Sequence, residues 1–314
     1  MRKRIILGVV LGLSLLATGI VQAQEFRFVL IPKVVHPWFD IVNDGAQEAA
    51  EMLGKNTVDK FVVDYRAPQS ADVVTQNEIL ERAIATRPDG IIIDPLDPPG
   101  AYAILEEAHQ RGIAIMVFAS TAPEGPVKFP ATNNDFYIQG GAASERLAEM
   151  LNYEGEVAIM NGVPTADAHA HRAEAHRRVF AKYPKMKVVA EGIDNDDIET
   201  AQREAAAIIS AHPNLKGIVP CNAAGPIGIG IAVKEANKVG DIKVVGIDDL
   251  NQTLDLIKEG VIDSTYVTKP RTLGFWSVVT LWLNKKGIIY MPKTVDTGSE
   301  RVTLEMINAG YKGF

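Results

Sequence analysis

"GIIIDPLDPPGAYAILEEAHQRGIAIMVFA", residues 90–119, holds the pattern that decides the fold. It opens on a short apolar run, 90–94, rich in β-branched residues, which reads as a buried parallel strand. Amphipathic helical spacing follows at 102–111, and a second apolar run at 114–119. Strand, helix, strand is the unit of a parallel sheet with helices packed on its faces.

The same alternation runs outward in both directions. Further strands are predicted at 26–31, 61–65, 156–161, 187–192, 217–222 and 243–248. Helices are predicted at 38–53, 72–86, 137–151, 167–183, 198–211, 227–239 and 252–259. The units divide into two sets of four at "KFPATNND" (128–135), where a fifth extended segment is expected. A single eight-unit barrel is the structural rival. The tail argues against it, because 263–268 reads as a strand, 273–285 as a helix, and 293–298 and 301–307 as extended. A barrel needs no such return. The fold class is therefore α/β, with two doubly wound parallel-sheet lobes.

With 314 residues, 47% of them hydrophobic, the chain is long enough for two cores. Arg2, Lys3 and Arg4 precede an apolar stretch ending in Val21-Gln22-Ala23, which reads as a signal peptide cleaved after about Ala23. An uncleaved anchor is the alternative, but the apolar stretch is short for a span. Removing those three cations takes the formal net charge from −7 to −10, a poor surface for nucleic acid. Cys221 is the only cysteine and ends an apolar run, so it reads as a buried structural thiol and no intrachain disulfide is possible.

Enzyme signatures are weak. "GPIGIG" (225–230) lies between a strand and a helix, but in the order G-x-x-G-x-G rather than G-x-G-x-x-G. His169, His171 and His176 share one helix at spacings that do not form one face, and they read as solvated helix surface rather than metal ligands. No nucleotide loop or nucleophile elbow is present. No cofactor and no metal are expected.

What stands after each strand is more informative, since ligands of open α/β sheets bind beyond the strands' carboxyl ends. The residues there are Lys33, His36, Trp38 and Phe39 after the first strand, and Asp94 and Ser120 after the third and fourth. Asn161, Asn222 and Asp248 follow strands of the second set. Helix capping explains any one of these equally well. The recurrence in both halves is what suggests a polar pocket.

These residues resemble a family. "HPWFDIVNDGAQEAAEMLG" (36–54), "RPDGIIIDPLDP" (87–98), "NDFYIQGG" (134–141), "HRAEAHRRVFAKYP" (171–184), "NLKGIVPCNAAGPIGIGIAV" (214–233) and "IKVVGIDD" (242–249) are together similar to periplasmic sugar-binding proteins of ABC transporters, the ribose-binding branch above all. The resemblance implies two lobes joined by a three-strand hinge, with crossings at "PATNN", "YVTKP" and "TVDTG". The implied lobes are 24–131 plus 269–295, and 132–268 plus 296–314. It also implies a periplasmic monomer that carries a small sugar to a membrane permease, with ATP hydrolysed elsewhere.

The same resemblance distributes site roles. The family's Asn-Pro-Phe-Phe turn is here His36-Pro37-Trp38-Phe39, and its Asn-Pro asparagine is Asp94. Its signature arginine falls on Arg172, although Gly-Phe is replaced by Ala175-His176. Asn222 and Asp248 match its asparagine and aspartate. Two positions depart: the family's Asp-Arg pair is Ala119-Ser120, and its hinge glutamine is Thr268, beside Lys269. The departures point away from ribose, and two carboxylates admit a polyol or an amino sugar. Lys33 resembles a lysine of proteins that bind the furanosyl quorum signal autoinducer-2, a second reading. A secreted α/β enzyme and a repressor core of the same fold are the remaining alternatives.

Overall fold

The computed structural model describes residues 23–288 and 294–313, so the expected signal peptide lies outside the described residues except for Ala23. The first half runs β1 (Glu25–Ile31), α1 (Pro37–Asn56), β2 (Lys60–Tyr65), α2 (Val73–Ala85), β3 (Gly90–Ile93), α3 (Pro98–Gln110), β4 (Ala114–Phe118) and β5 (Ala131–Asn133). The second runs α4 (Phe136–Met150), β6 (Gly155–Asn161), α5 (Asp167–Phe180), β7 (Met186–Ile193), α6 (Ile198–Ala211), β8 (Leu215–Pro220), α7 (Gly225–Glu235), β9 (Lys243–Ile247), α8 (Asn251–Lys258) and β10 (Ser264–Val267). The return is α9 (Pro270–Lys285), β11 (Thr294–Asp296), β12 (Glu300–Thr303) and α10 (Leu304–Asn308).

Two sheets result, in the orders β11-β5-β4-β3-β1-β2 and β12-β10-β9-β8-β6-β7. Pairing is parallel throughout except where β12 runs antiparallel to β10. The central strands are apolar on both faces because helices cover both. β3, for example, buries all four of its residues. Each sheet repeats one winding order, with its topological switch between the first and third strands of the set.

The chain crosses between lobes after β5, between β10 and α9, and between β11 and β12. Thr132, Asn133 and Asp296 pair within the first sheet, one or two residues beyond the lobe limits expected from sequence. Elsewhere, local chemistry moves element ends. α3 starts at Pro98 rather than 102, because Asp97 caps it and prolines suit the first helical positions. The segment expected to be extended through 307 turns helical at Leu304, where the Thr303 side chain accepts from the Met306 N–H.

The return helix α9 lies against α1 at two glycines. A Cβ on Gly45 would overlap the Arg271 carbonyl, and one on Gly274 would overlap the Val42 carbonyl. Backbone meets backbone here, so neither side can yield by changing a rotamer. The glycine-rich 225–230 run has the same explanation. Added Cβ atoms at Gly228 and Gly230 would meet α6 at Ala201 and α8 at Leu256, so these glycines let the buried α7 pack closely. They do not form a phosphate cradle. Gly274→Ala is expected to lower unfolding stability by about 1–3 kcal/mol or more, the usual cost of overpacking, as read from urea denaturation midpoints.

Candidate ligand-binding site

The carboxyl ends of both sheets face each other across a small pocket lined by residues of both lobes. Eight of the ten residues singled out from sequence line it: Lys33, His36, Trp38, Phe39, Arg172, Asn222, Asp248 and Thr268. Asp94 and Ser120 are not in the lining, although both are buried, and the same holds for Asn161, noted at a strand end but given no site role.

The loop after β1 supplies the first wall. His36 caps α1, its Nδ1 accepting from the Trp38 N–H at 3.1 Å, and Pro37 takes the first helical position. This turn places both rings of Trp38 and Phe39 inward. They meet edge-to-face with centroids 5.0 Å apart, and Phe39 continues onto Phe118 at 6.2 Å. Lys33 is only 4% exposed, with Nζ 3.3 Å from Asp94 Oδ2 and 5.6 Å from the centre of the Phe39 ring. Gln76 of α2 fixes this corner. Its amide nitrogen donates to the Pro32 and Asp94 carbonyls at 2.9 and 2.8 Å, and its oxygen accepts from the Leu96 N–H at 2.8 Å.

The second lobe supplies charge. Arg172 is 4% exposed, which excludes a surface role. Its Nε donates to Gln139 Oε1 at 2.8 Å and one terminal nitrogen to the Cys221 carbonyl at 3.0 Å, with the guanidinium 5.1 Å from the Phe136 ring centre. Asn222 lines the pocket and also holds the start of α7. Its oxygen accepts from the Gly225 N–H at 2.7 Å, and its nitrogen donates to Asp194 at 2.5 Å. Asp248 and Ala119 occupy matching places after β9 and β4, and both have left-handed backbone, with φ of 61° and 48°. Such strain is tolerated where surrounding structure fixes it. Here the Asp248 and Ala119 N–H groups bond across to the Tyr266 and Thr132 carbonyls, each at 2.9 Å.

One chain of hydrogen bonds joins the lobes. Trp38 Nε1 donates to Thr268 Oγ1 at 3.2 Å, and that hydroxyl donates to Asp248 Oδ1 at 2.6 Å.

Sequence reasoning missed several residues. His169 and His176 are buried, not solvated, because the inner face of α5 packs on the sheet. His176 accepts from Ser144 at 2.6 Å and donates to the Pro220 carbonyl at 3.1 Å, so it is structural. His169 lines the pocket, together with Asn134, Phe136 and Asp196. Asp194 and Asp196 follow β7, and the strand-end rule applied to that strand would have reached them. Cys221 is buried as expected, with its thiol pKa pushed up by burial.

Polar atoms at this seam lack partners. His36 Nε2, Asp94 Oδ1, Ser120 Oγ, Asn134 Oδ1, Asn161 Oδ1, Asp194 Oδ2 and Asp196 Oδ1 are buried without a hydrogen bond, and Asp94 Oδ2 has only its ion pair with Lys33. Native interiors rarely leave such atoms unpaired. Burial also moves the acids. It raises the Asp94 carboxyl to about 7 against the opposing pull of Lys33, and the Asp194 carboxyl to about 8 with help from Asp196. His169 is driven well below its ordinary value by burial and then by Lys33, while His176 falls to about 4.

Two doubly wound lobes closing on one polar pocket have counterparts among known proteins. Residues 27–287 match the family described as the periplasmic binding protein domain, and the chain belongs to that family. The D-apiose import binding protein of Actinobacillus succinogenes is 25% identical over 250 residues, covering 79% of this chain and 78% of its own. A crystal structure of an ABC transporter solute-binding protein from Burkholderia graminis, in complex with D-arabinose, has a TM-score of 0.86 and 30% identity, covering 93% of this chain and 99% of that one. A carbohydrate transporter solute-binding protein from Agrobacterium radiobacter, also in complex with D-arabinose, has a TM-score of 0.81 and 28% identity, covering 90% and 95%.

The raised carboxyls fix a pH dependence. A carboxyl with a raised folded-state pKa keeps its proton in the folded protein where the unfolded chain has lost it, so stability falls as pH rises from the unfolded value through the folded one. The depressed histidines act oppositely, but only below about 6.5, the ordinary histidine value. Between pH 6.5 and 8 the sugar-free protein is therefore expected to lose stability as pH rises. Asp94→Asn and Asp194→Asn should each flatten that slope, read from urea midpoints across the window.

Proposed function

We propose that this protein is an exported solute-binding protein of an ABC importer. It captures a monosaccharide or close relative, such as a polyol, between its lobes and delivers it to a membrane permease. The observation that carries this reading is the set of buried, unpartnered polar atoms from both lobes beside an aromatic wall. Sugars present apolar C–H faces and a rim of hydroxyls. Trp38 and Phe39 would cover a face. Asp94, Arg172, Asn222 and Asp248 would bond the rim, with Lys33, His36, Ser120 and Thr268 beside them. Ser120 and Asp94, buried outside the lining of the sugar-free pocket, would turn their unused oxygens to the ligand.

Hydrogen bonds to charged groups are worth about 1.5–3 kcal/mol each. Several of them support micromolar or tighter binding, about −8 kcal/mol. A ligand held by both lobes favours the closed form over the open one, and closure is the signal for the permease. The sugar names and sugar complexes of the relatives favour this reading over the furanosyl quorum signal.

A thermal-shift panel of pentoses, hexoses, polyols and amino sugars tests it. Ligand at about 100 times Kd should add about 2.7 kcal/mol of stability. No shift with any of them would sink the carbohydrate reading. Trp38→Ala is expected to weaken binding about 30-fold or more, the cost of truncating a buried aromatic anchor worth about 2 kcal/mol. Calorimetry on the variant checks this, with circular dichroism confirming that it is folded; unchanged affinity would return Trp38 to a packing role.

A further inference from the structure

At one corner of the pocket, hydrogen-bond donors from the two lobes face each other. His169 Nδ1 accepts from the Val163 N–H at 2.9 Å, so that nitrogen carries no proton and Nε2 carries the ring's N–H. Lys33 Nζ, a nitrogen that only donates, stands 3.4 Å from that same Nε2. The two residues lie 136 positions apart, on opposite lobes, and cannot satisfy one another. His36 repeats the pattern. Its Nδ1 accepts from the Trp38 N–H, which leaves Nε2–H as a buried donor with no partner. Acceptors flank this group. Asp94 Oδ2 is 3.3 Å from Lys33 Nζ, and Asp196 Oδ2 is 4.0 Å from His169 Nε2.

We propose that Lys33 and His169 close on a single neutral hydroxyl oxygen of the ligand, which accepts from both and gives its own proton to Asp94 or Asp196. His169 is then a specificity-determining residue. The inference rests on the carbohydrate reading above and narrows it. A hydroxyl matches because it accepts and donates at one atom, as this corner requires. An ammonium group offers only donors: it could serve Asp94 or Asp196, but it would leave Lys33, His169 and His36 without an acceptor. A carboxylate offers only acceptors: it could accept from Lys33 and His169, but it would leave Asp94 and Asp196 without a donor and add a like charge beside them. The sugar position at this corner therefore carries OH, not an amine or an acid.

The test is isothermal calorimetry on a panel: D-arabinose, D-ribose, D-allose and D-apiose, their monodeoxy derivatives, and the available amino and uronic counterparts. Wild type is compared with His169→Leu, Lys33→Met and His169→Gln, whose amide can both accept from Val163 and donate toward the pocket. The best neutral sugar is expected to bind at least tenfold more weakly to His169→Leu and Lys33→Met, with His169→Gln recovering most of the loss. One monodeoxy derivative should lose as much in wild type and lose nothing further in His169→Leu, a result that a purely structural role for His169 would not give. Equal affinity for the best sugar in all four proteins overturns the bridge while leaving the carbohydrate reading intact. So does additive loss for every deoxy derivative, or tighter binding of each amino or acid counterpart than of its neutral sugar. Failure of the whole panel to bind wild type overturns the carbohydrate reading and the bridge with it. Thermal unfolding of the sugar-free variants separates a folding defect from a binding defect.

Discussion

A polar atom taken out of water must find a partner or cost about 1–3 kcal/mol, and this constraint organises the molecule. Both sheets bring polar strand ends to one seam, where burial is nearly complete. The backbone groups there are satisfied locally, as when the Asp94 N–H donates to the Ile31 carbonyl at 3.0 Å and the Cys221 N–H to the Met160 carbonyl at 2.9 Å. The side chains are not. His36, Asp94, Asn134 and Asp196 keep unused donors or acceptors, which leaves them free to take up a group from outside the chain.

Holding such groups in place takes a scaffold that is itself saturated. Gln76 uses both ends of its amide to fix the exits of β1 and β3. Gln139 does the same in the second lobe. Its oxygen accepts from Arg172 and from Asn134 at 3.1 Å, and its nitrogen donates to the Tyr266 carbonyl at 2.9 Å. One glutamine thus ties the site arginine to the first and second crossings. The α1–α9 contact anchors the returning chain to the first lobe by backbone proximity, with no side chain between. Rigid support of this kind is what keeps a polar site selective, because displaced donors would relax toward one another.

The charges are balanced rather than of one sign. Lys33 faces Asp94, and Arg172 feels Asp248, Asp196 and Asp94. Burial still dominates, which is why Asp94 and Asp194 titrate near neutrality and both inner histidines stay neutral. A site with paired charges and spare hydrogen-bonding capacity suits a neutral, hydroxyl-rich molecule.

The alternation of apolar runs and amphipathic stretches determined the two winding units, because periodicity reports burial directly. It also placed the site at strand ends, since parallel strands deliver all their exits to one edge. Thus Trp38, Arg172 and Asp248 were legible from position alone or by resemblance. His169 was not, and neither was the clamp at Gln139. The helix carrying His169 shows several polar residues in succession, and local spacing does not say which of them turns inward. Tertiary structure alone decided which polar atoms remain unsatisfied. That property depends on partners far away in the chain, such as Lys33 opposite His169 and Trp38 opposite Thr268, and no local pattern encodes it.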